Sequence, residues 1–135
     1  MRINVDKLDI SDDHLTVLYN GQPFTGVYYE EDVNGQVIDE VSYVNGQMEG
    51  PSRSYFASGQ LQSEEQFHIG SHHGLCRYWH ENGQLEAEKT YEHAILTSSR
   101  TWDSNGNPTG EYQLTEADPM YEILLIHRQR HSQVL

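Results

Sequence analysis

A period of 24 residues constrains this chain more than any other feature of its sequence. Glycine and aromatic columns keep that period in step. Gly46 and Gly70 are 24 apart, as are Gly26, Gly50 and Gly74. Gly35, Gly59 and Gly83 form a further column, and Tyr19, Tyr43, Phe67 and Tyr91 another. A repeat of this length is one supersecondary unit. It cannot bury an apolar face alone and must stack on its neighbours.

The unit reads as a hairpin. Asn34-Gly35, Ser58-Gly59, Asn82-Gly83 and Asn105-Gly106 lie between strand-like runs. Asn-Gly predicts a type I′ turn there, because that turn needs positive φ at both central residues. The Gly46–Gly50 and Gly70–Gly74 segments then return the chain for the next hairpin. After each Asn-Gly the side chains alternate. Leu61, Ser63, Glu65 and Phe67 point one way, and Gln60, Gln62, Glu64 and Gln66 the other. Val37, Asp39, Val41 and Tyr43 repeat the first set, as do Leu85, Ala87, Lys89 and Tyr91. This predicts one packed face and one wet face. Tyr55, Trp79 and Trp102 add an aromatic column, read as repeat-stacking core.

The predicted fold is all-β: an elongated single-layer antiparallel meander of stacked β-hairpin repeats, in one domain over residues 1–135. Residues 1–18 form an N-terminal cap of one or two strands. Residues 19–112 hold four hairpin repeats of about 24 residues, and residues 113–135 a C-terminal cap. The outer copies are modified, as capping repeats are. Glu31-Asp32 stands where later copies have Tyr55-Phe56 and Trp79-His80, and Ala94 and Ser98 replace the last turn glycines. In the tail, Asp118 before Pro119 suits an N-cap with proline at the first helical position. MYEILLIHRQRH is therefore predicted as a short helix, with a buried strand over Ile123–Ile126 as the alternative.

Composition bounds the function. Hydrophobic residues make up 36% of the chain, against about 45–50% in ordinary globular domains, which suits a thin core. The net charge is −13, with only eight Lys and Arg. That disfavours nucleic acid and anionic membrane as partners, since phosphates need cations. It favours a basic protein partner, or serves to keep an edge-rich sheet soluble. The single cysteine, Cys76, has no intrachain partner, and nothing suggests oxidising export. MRINVDKLDISDDH lacks an apolar run of signal-peptide length, and no stretch approaches the ~20 apolar residues of a membrane span. The expected location is cytoplasmic.

A search for chemistry returns no enzyme. His68, His72, His73 and His80 fall in one repeat, but the first three flank one turn and His80 the opposite one, so no metal site is expected. Adjacent carboxylates such as Glu64-Glu65 point to opposite faces, which does not make a catalytic pair. Neither a Gly-x-Ser-x-Gly elbow nor a phosphate-cradling loop is present. No catalytic residue and no cofactor are expected. One constellation stands out: Glu40, Glu64 and Glu88 share a repeat position on the polar face, with Glu86 beside them. Stacking would align them as an acidic column, a candidate contact for a basic partner, unless water simply screens the charges.

The units YVNGQMEGPSRSYFASGQLQSEEQ and FHIGSHHGLCRYWHENGQLEAEKT resemble the variant MORN repeat: aromatic, two residues, Gly, three residues, Gly, aromatic pair, Asn-Gly-Gln-Leu, Glu. The opening LDISDDHLTVLYNGQPFTGVYYE is similar to the N-terminal segment of the YwqK-family antitoxins, bacterial immunity proteins built from such repeats. The resemblance covers roughly residues 3–112 and implies a MORN-like fold. It also implies an antitoxin that binds and neutralises a cognate toxin domain by blocking its active site or substrate groove. The alternative is a MORN-repeat structural scaffold or interaction module with no toxin. A toxin-like domain encoded beside the gene separates the two. The oligomeric state is left open by unpaired strand edges at either end.

Overall fold

The computed structural model describes the backbone of residues 1–134 and the side chains of residues 1–131. The chain opens with strand β1 (Arg2–Asn4), a 3-10 turn at Val5–Lys7 and strands β2 (Asp9–Ile10), β3 (Val17–Tyr19) and β4 (Gln22–Pro23). The repeats supply β5 (Gly26–Glu31), β6 (Val37–Val44), β7 (Gln47–Tyr55), β8 (Leu61–His68), β9 (Ser71–His72) and β10 (Gly74–Trp79). β11 (Leu85–Glu92), β12 (Ile95–Trp102) and β13 (Pro108–Gln113) follow, and helix α1 (Pro119–Val134) ends the chain.

The repeats build one large open sheet in the order β1-β5-β6-β7-β8-β10-β11-β12-β13, with β9 beside β8. Every pairing between consecutive hairpin strands is antiparallel. The all-β meander of hairpins and the C-terminal helix stand as expected. α1 begins where the sequence placed it: the Met120 amide donates to Asp118 Oδ1 at 2.9 Å, which satisfies one of the orphan donors of the first turn.

The turn chemistry differs from the sequence reading. Positive φ at both central residues occurs at Asn20-Gly21, Asn45-Gly46 and His93-Ala94, and also at Ile69-Gly70. These are the tight turns that match strand twist. At Asn34-Gly35, Asn82-Gly83 and Asn105-Gly106 only the glycine is left-handed. There the chain makes a longer turn, closed by Gly35 N–H to the Asp32 carbonyl and Gly83 N–H to the His80 carbonyl. The register slips beside each one, between Glu30 and Glu31 and between Tyr78 and Trp79. A type I turn followed by a left-handed glycine produces that bulge. Asn-Gly satisfies both geometries, so the dipeptide alone did not choose between them.

The tight turns are bonded to one another along one rim. Gly46 N–H donates to the Phe24 carbonyl, Gly70 N–H to Met48 and Ala94 N–H to His72. Beneath them run the aromatic rungs. Phe24 lies 6.4 Å from Tyr19 and 6.0 Å from Tyr43, centroid to centroid. Phe24, Cys76 and Leu124 are the largest fully buried side chains. The other buried side chains on the sheet are Val41, Ser63, Ala87 and Ile95. The thin core that the composition implied is thus assembled from slender side chains roofed by tyrosines. Tyr55 departs from the expected packing column, since its hydroxyl reaches Glu40 on the charged face.

The N-terminal cap also differs from a plain meander. β1 pairs parallel to β5, and β2, β3 and β4 make a separate small sheet. The small sheet is seated on the Asn45-Gly46 turn through Val17 N–H to the Gly46 carbonyl at 2.9 Å.

Candidate functional site

The sheet brings one row of side chains together across its width. Register pairs Tyr29 with Glu40, Glu40 with Arg53, Arg53 with Glu64 and Glu64 with Arg77. Arg77 then pairs with Glu88, Glu88 with Arg100 and Arg100 with Glu111. Residues directly opposite on neighbouring strands share a face, so this is a ladder of alternating sign. Ion pairs close along it: Arg53 to Glu64 at 2.8 Å, Arg77 to Glu88 at 3.0 Å and Arg100 to Glu111 at 3.7 Å.

The expected acidic column is therefore interleaved with arginines. Glu40, Glu64 and Glu88 do share a row, but each is next to a cation. The signal was present in the sequence, because Arg53 and Arg77 are themselves 24 apart and Arg100 follows 23 later. Each arginine lies on the strand paired with its glutamate, so the alternation emerges only with the register. In the first repeat Tyr29 holds the arginine position, and Arg2 from β1 supplies the missing charge. Its guanidinium lies 4.0 Å from the Tyr29 ring centroid and 3.6 Å from Glu40. Glu86 stands apart from the row, half exposed, with His80 Nδ1 at 3.4 Å. Exposed pairs of this kind contribute about 0.2–1 kcal/mol each. Their larger effect is on register, since a one-residue slip would part most of the charge partners and turn each strand's side chains to the other face.

The opposite face carries a polar knot under the rim. His72 is stacked between Phe67 and Tyr91, with ring centroids 4.5 and 4.8 Å away. Its Nε2 meets Glu65 Oε2, to which the Tyr78 hydroxyl also donates at 2.9 Å. Burial, then the Glu65 carboxylate, pushes the Tyr78 phenol well above its ordinary value. Burial likewise pushes the Cys76 thiol up. A buried thiol held protonated is a poor nucleophile.

Five further histidines line the rim towards the helix. His68 and His73 have centroids 5.8 Å apart, His73 and His93 5.1 Å, His93 and His127 5.4 Å, and His93 and His131 4.1 Å. His127 and His131 are one turn apart on α1, so the helix is docked through its histidine side onto the last tight turn. Arg128 of α1 bonds Glu92 beside it. Desolvation first, then the neighbouring imidazoles His131, His73 and His127, holds His93 below its usual range. This cluster was not legible in the sequence, because its members come from three separate segments. Among the described residues, no three His, Cys, Asp or Glu side chains converge to hold a metal ion. Among the same residues, no helix is long and apolar enough to cross a membrane.

Comparison with known proteins gives three findings. Residues 48–68 and 73–93 match the model of the MORN repeat variant. The chain is 53% identical over 112 residues to the immunity protein YwqK of Bacillus subtilis (strain 168), covering 83% of this chain and 73% of that one. Two solved structures are similar over most of this chain but are far larger. The Streptococcus pneumoniae accessory secretory protein 1, 2 and 3 structure gives a TM-score of 0.41 at 12% identity, over 83% of this chain and 19% of that one. A mutant TarM from S. aureus gives 0.42 at 12% identity, over 82% and 20%. The chain thus spans about a fifth of their length, and likenesses that slight carry no argument.

Proposed function

The chain belongs to the family of the Bacillus subtilis immunity protein YwqK, and from that premise we propose that it binds a cognate bacterial toxin domain and neutralises it by covering the active site or substrate groove. The observation that carries this reading is the 53% identity across most of both chains. The role is non-catalytic and needs no cofactor. The partner is a basic protein domain rather than a nucleic acid or a membrane, and the encounter takes place in the cytoplasm. A net charge of −13 would steer such a partner in and speed capture at low salt.

Glu40, Glu64, Glu86 and Glu88 remain the proposed contacts on the ladder face. The arginines between them change what that face can read. It would recognise a pattern of alternating charge rather than bulk basicity, and Glu86 is the carboxylate among the four that lies outside the row. Mismatched patterns bring like charges together, which favours one partner over its relatives.

The test is co-expression with the toxin domain encoded beside the gene. Growth is rescued and the two chains co-purify. Arrest that persists while this chain is present in folded form contradicts the proposal. The steering component is tested separately. Raising salt from about 20 to 150 mM slows association by about tenfold, and an unchanged rate removes steering from the account.

A further inference from the structure

The ladder ends on an unmatched charge. Glu64 lies between Arg53 and Arg77, and Glu88 between Arg77 and Arg100. Glu111 has Arg100 on one side only. It belongs to β13, the last strand of the sheet, and its side chain is 72% exposed. Among the described residues nothing pairs with the outer side of β13.

The backbone of that edge is also unmatched. Leu114 N–H donates to the Thr97 carbonyl at 2.8 Å, in continuation of the β12–β13 register. Hydrogen-bonded pairs alternate along an antiparallel ladder. Tyr112 and Gly110 therefore bond inward to β12, while Glu111 and Gln113 turn their amide and carbonyl groups outward. A row of unpaired groups on an edge is a template for another strand.

Two depressions flank the same residues. One, of about 530 Å³, is lined by Trp102, Pro108, Gly110 and the Arg100–Glu111 pair. The other, of about 260 Å³, runs along Glu88, Arg100, Glu111 and Gln113 on the ladder face. The first offers a tryptophan and a proline to an apolar side chain. The second offers carboxylates to a cation.

We propose that β13 is the docking edge for an extended segment of the toxin domain, which adds a strand to the sheet, sets a Lys or Arg opposite Glu111 and seats an apolar side chain against Trp102 and Pro108. This rests on the immunity reading and names its contact surface. A second copy of this chain is a poor occupant. Pro108–Gln113 contains no cation, so self-pairing cannot continue the ladder, and each copy carries −13. The cation at the other edge, Arg2, is already engaged by Glu40 and Tyr29.

The test measures binding of the full chain to the toxin domain encoded beside its gene. Glu111→Arg weakens binding by about tenfold or more, as reversal of one paired interface charge does. Gln113→Pro deletes an outward amide without removing a β12–β13 bond and weakens binding by a similar factor. Glu31→Arg, the same charge change on a strand near the other end, alters it by less than about threefold. Circular dichroism and Tm confirm that each variant is folded. If the unaltered chain binds and both β13 variants bind equally well, the edge assignment is overturned while the immunity reading stands. If the unaltered chain fails to bind and fails to rescue growth, both are overturned. A dimer of this chain alone that Glu111→Arg dissociates overturns the toxin segment as occupant.

Discussion

The two ends of the sheet are finished in different ways. At the N-terminal end β1 lies parallel on β5, and Met1 accepts from Val27 N–H at 2.8 Å. The small sheet folds over the Asn45-Gly46 turn, and Phe24 is buried to 1% exposure. Charge is completed as well, because Arg2 supplies the cation that Tyr29 lacks. At the C-terminal end α1 buries Leu124 against Ile95 and Leu114 but leaves β13 uncovered among the described residues. The first cap completes core and charge and leaves as its edge only the three residues of β1. The other closes only the core, and the open side is where a partner strand would fit. Capping therefore need not mean closure: an end that protects apolar groups can still present hydrogen-bond donors and a carboxylate.

If the caps differ in this way, their anchors should fail differently. Phe24→Ala removes the rung between Tyr19 and Tyr43 and costs about 3–5 kcal/mol. Urea denaturation should show the loss as one cooperative transition, because the cap is bonded into the Asn45-Gly46 turn. Leu124→Ala costs about 2–4 kcal/mol, with a different signature. Helical ellipticity falls first and the sheet signal persists. A single shared transition for both variants would erase the distinction.

The same turn position separates the two ends a second time. A Cβ at Gly46 would collide with the Thr16 methyl group and lie 2.9 Å from the Val17 carbonyl oxygen. Its φ is +82°. Gly46→Ala therefore combines left-handed strain of about 1–2 kcal/mol with overpacking of about 1–3 kcal/mol. Ala94 occupies the equivalent turn at the helix end with φ +66°. Ala94→Gly relieves strain there and stabilises by about 0.5–1 kcal/mol. Opposite shifts in Tm check the pair.

A smaller effect is confined to the helix end. His93 titrates below its ordinary 6.5, chiefly through desolvation and then through nearby imidazoles. Across α1 and the rim it is faced by His73, His127, His131, Glu92 and Arg128. The folded state then binds fewer protons than the unfolded chain just below pH 6.5. The stabilisation is complete above that value and is lost as pH falls from it towards the folded-state pKa. Glu92, held below its ordinary 4.5 by Arg128, contributes above that value and loses its contribution as pH falls through its lower folded-state pKa. Helix docking should weaken between pH 7 and 5 while the sheet holds, and His93→Phe should flatten the His93 part of that dependence. Tyr28, raised to about 12 by burial, stays neutral throughout.

Much of the fold could be read from the chain because its period is carried by residues with strict local duties. The glycine and aromatic columns carried the antiparallel order and the alternation of the repeat strands, and Asp118-Pro119 marked the helix start. Four features were hidden for physical reasons. Asn-Gly serves both a tight turn and a bulged one, so the dipeptide does not give the turn type. The arginine column sits on the partner strand of each glutamate and appears only once register is known. The parallel strand and the histidine rim depend on segments far apart in sequence. Glu40, Glu64 and Glu88 were nameable from their 24-residue spacing, with Glu86 as their neighbour, whereas Glu111 follows Glu88 by 23 and is out of step by the same one residue as Arg100.

Hydrogen exchange at the two edges, with and without the toxin domain, tests the central claim most directly. In the free chain the outward amides of Glu111 and Gln113 exchange rapidly. In the complex, exchange over residues 108–113 slows by about tenfold or more, while Arg2–Asn4 is unchanged. Binding that leaves residues 108–113 as fast as before, or that protects Arg2–Asn4 instead, contradicts the account.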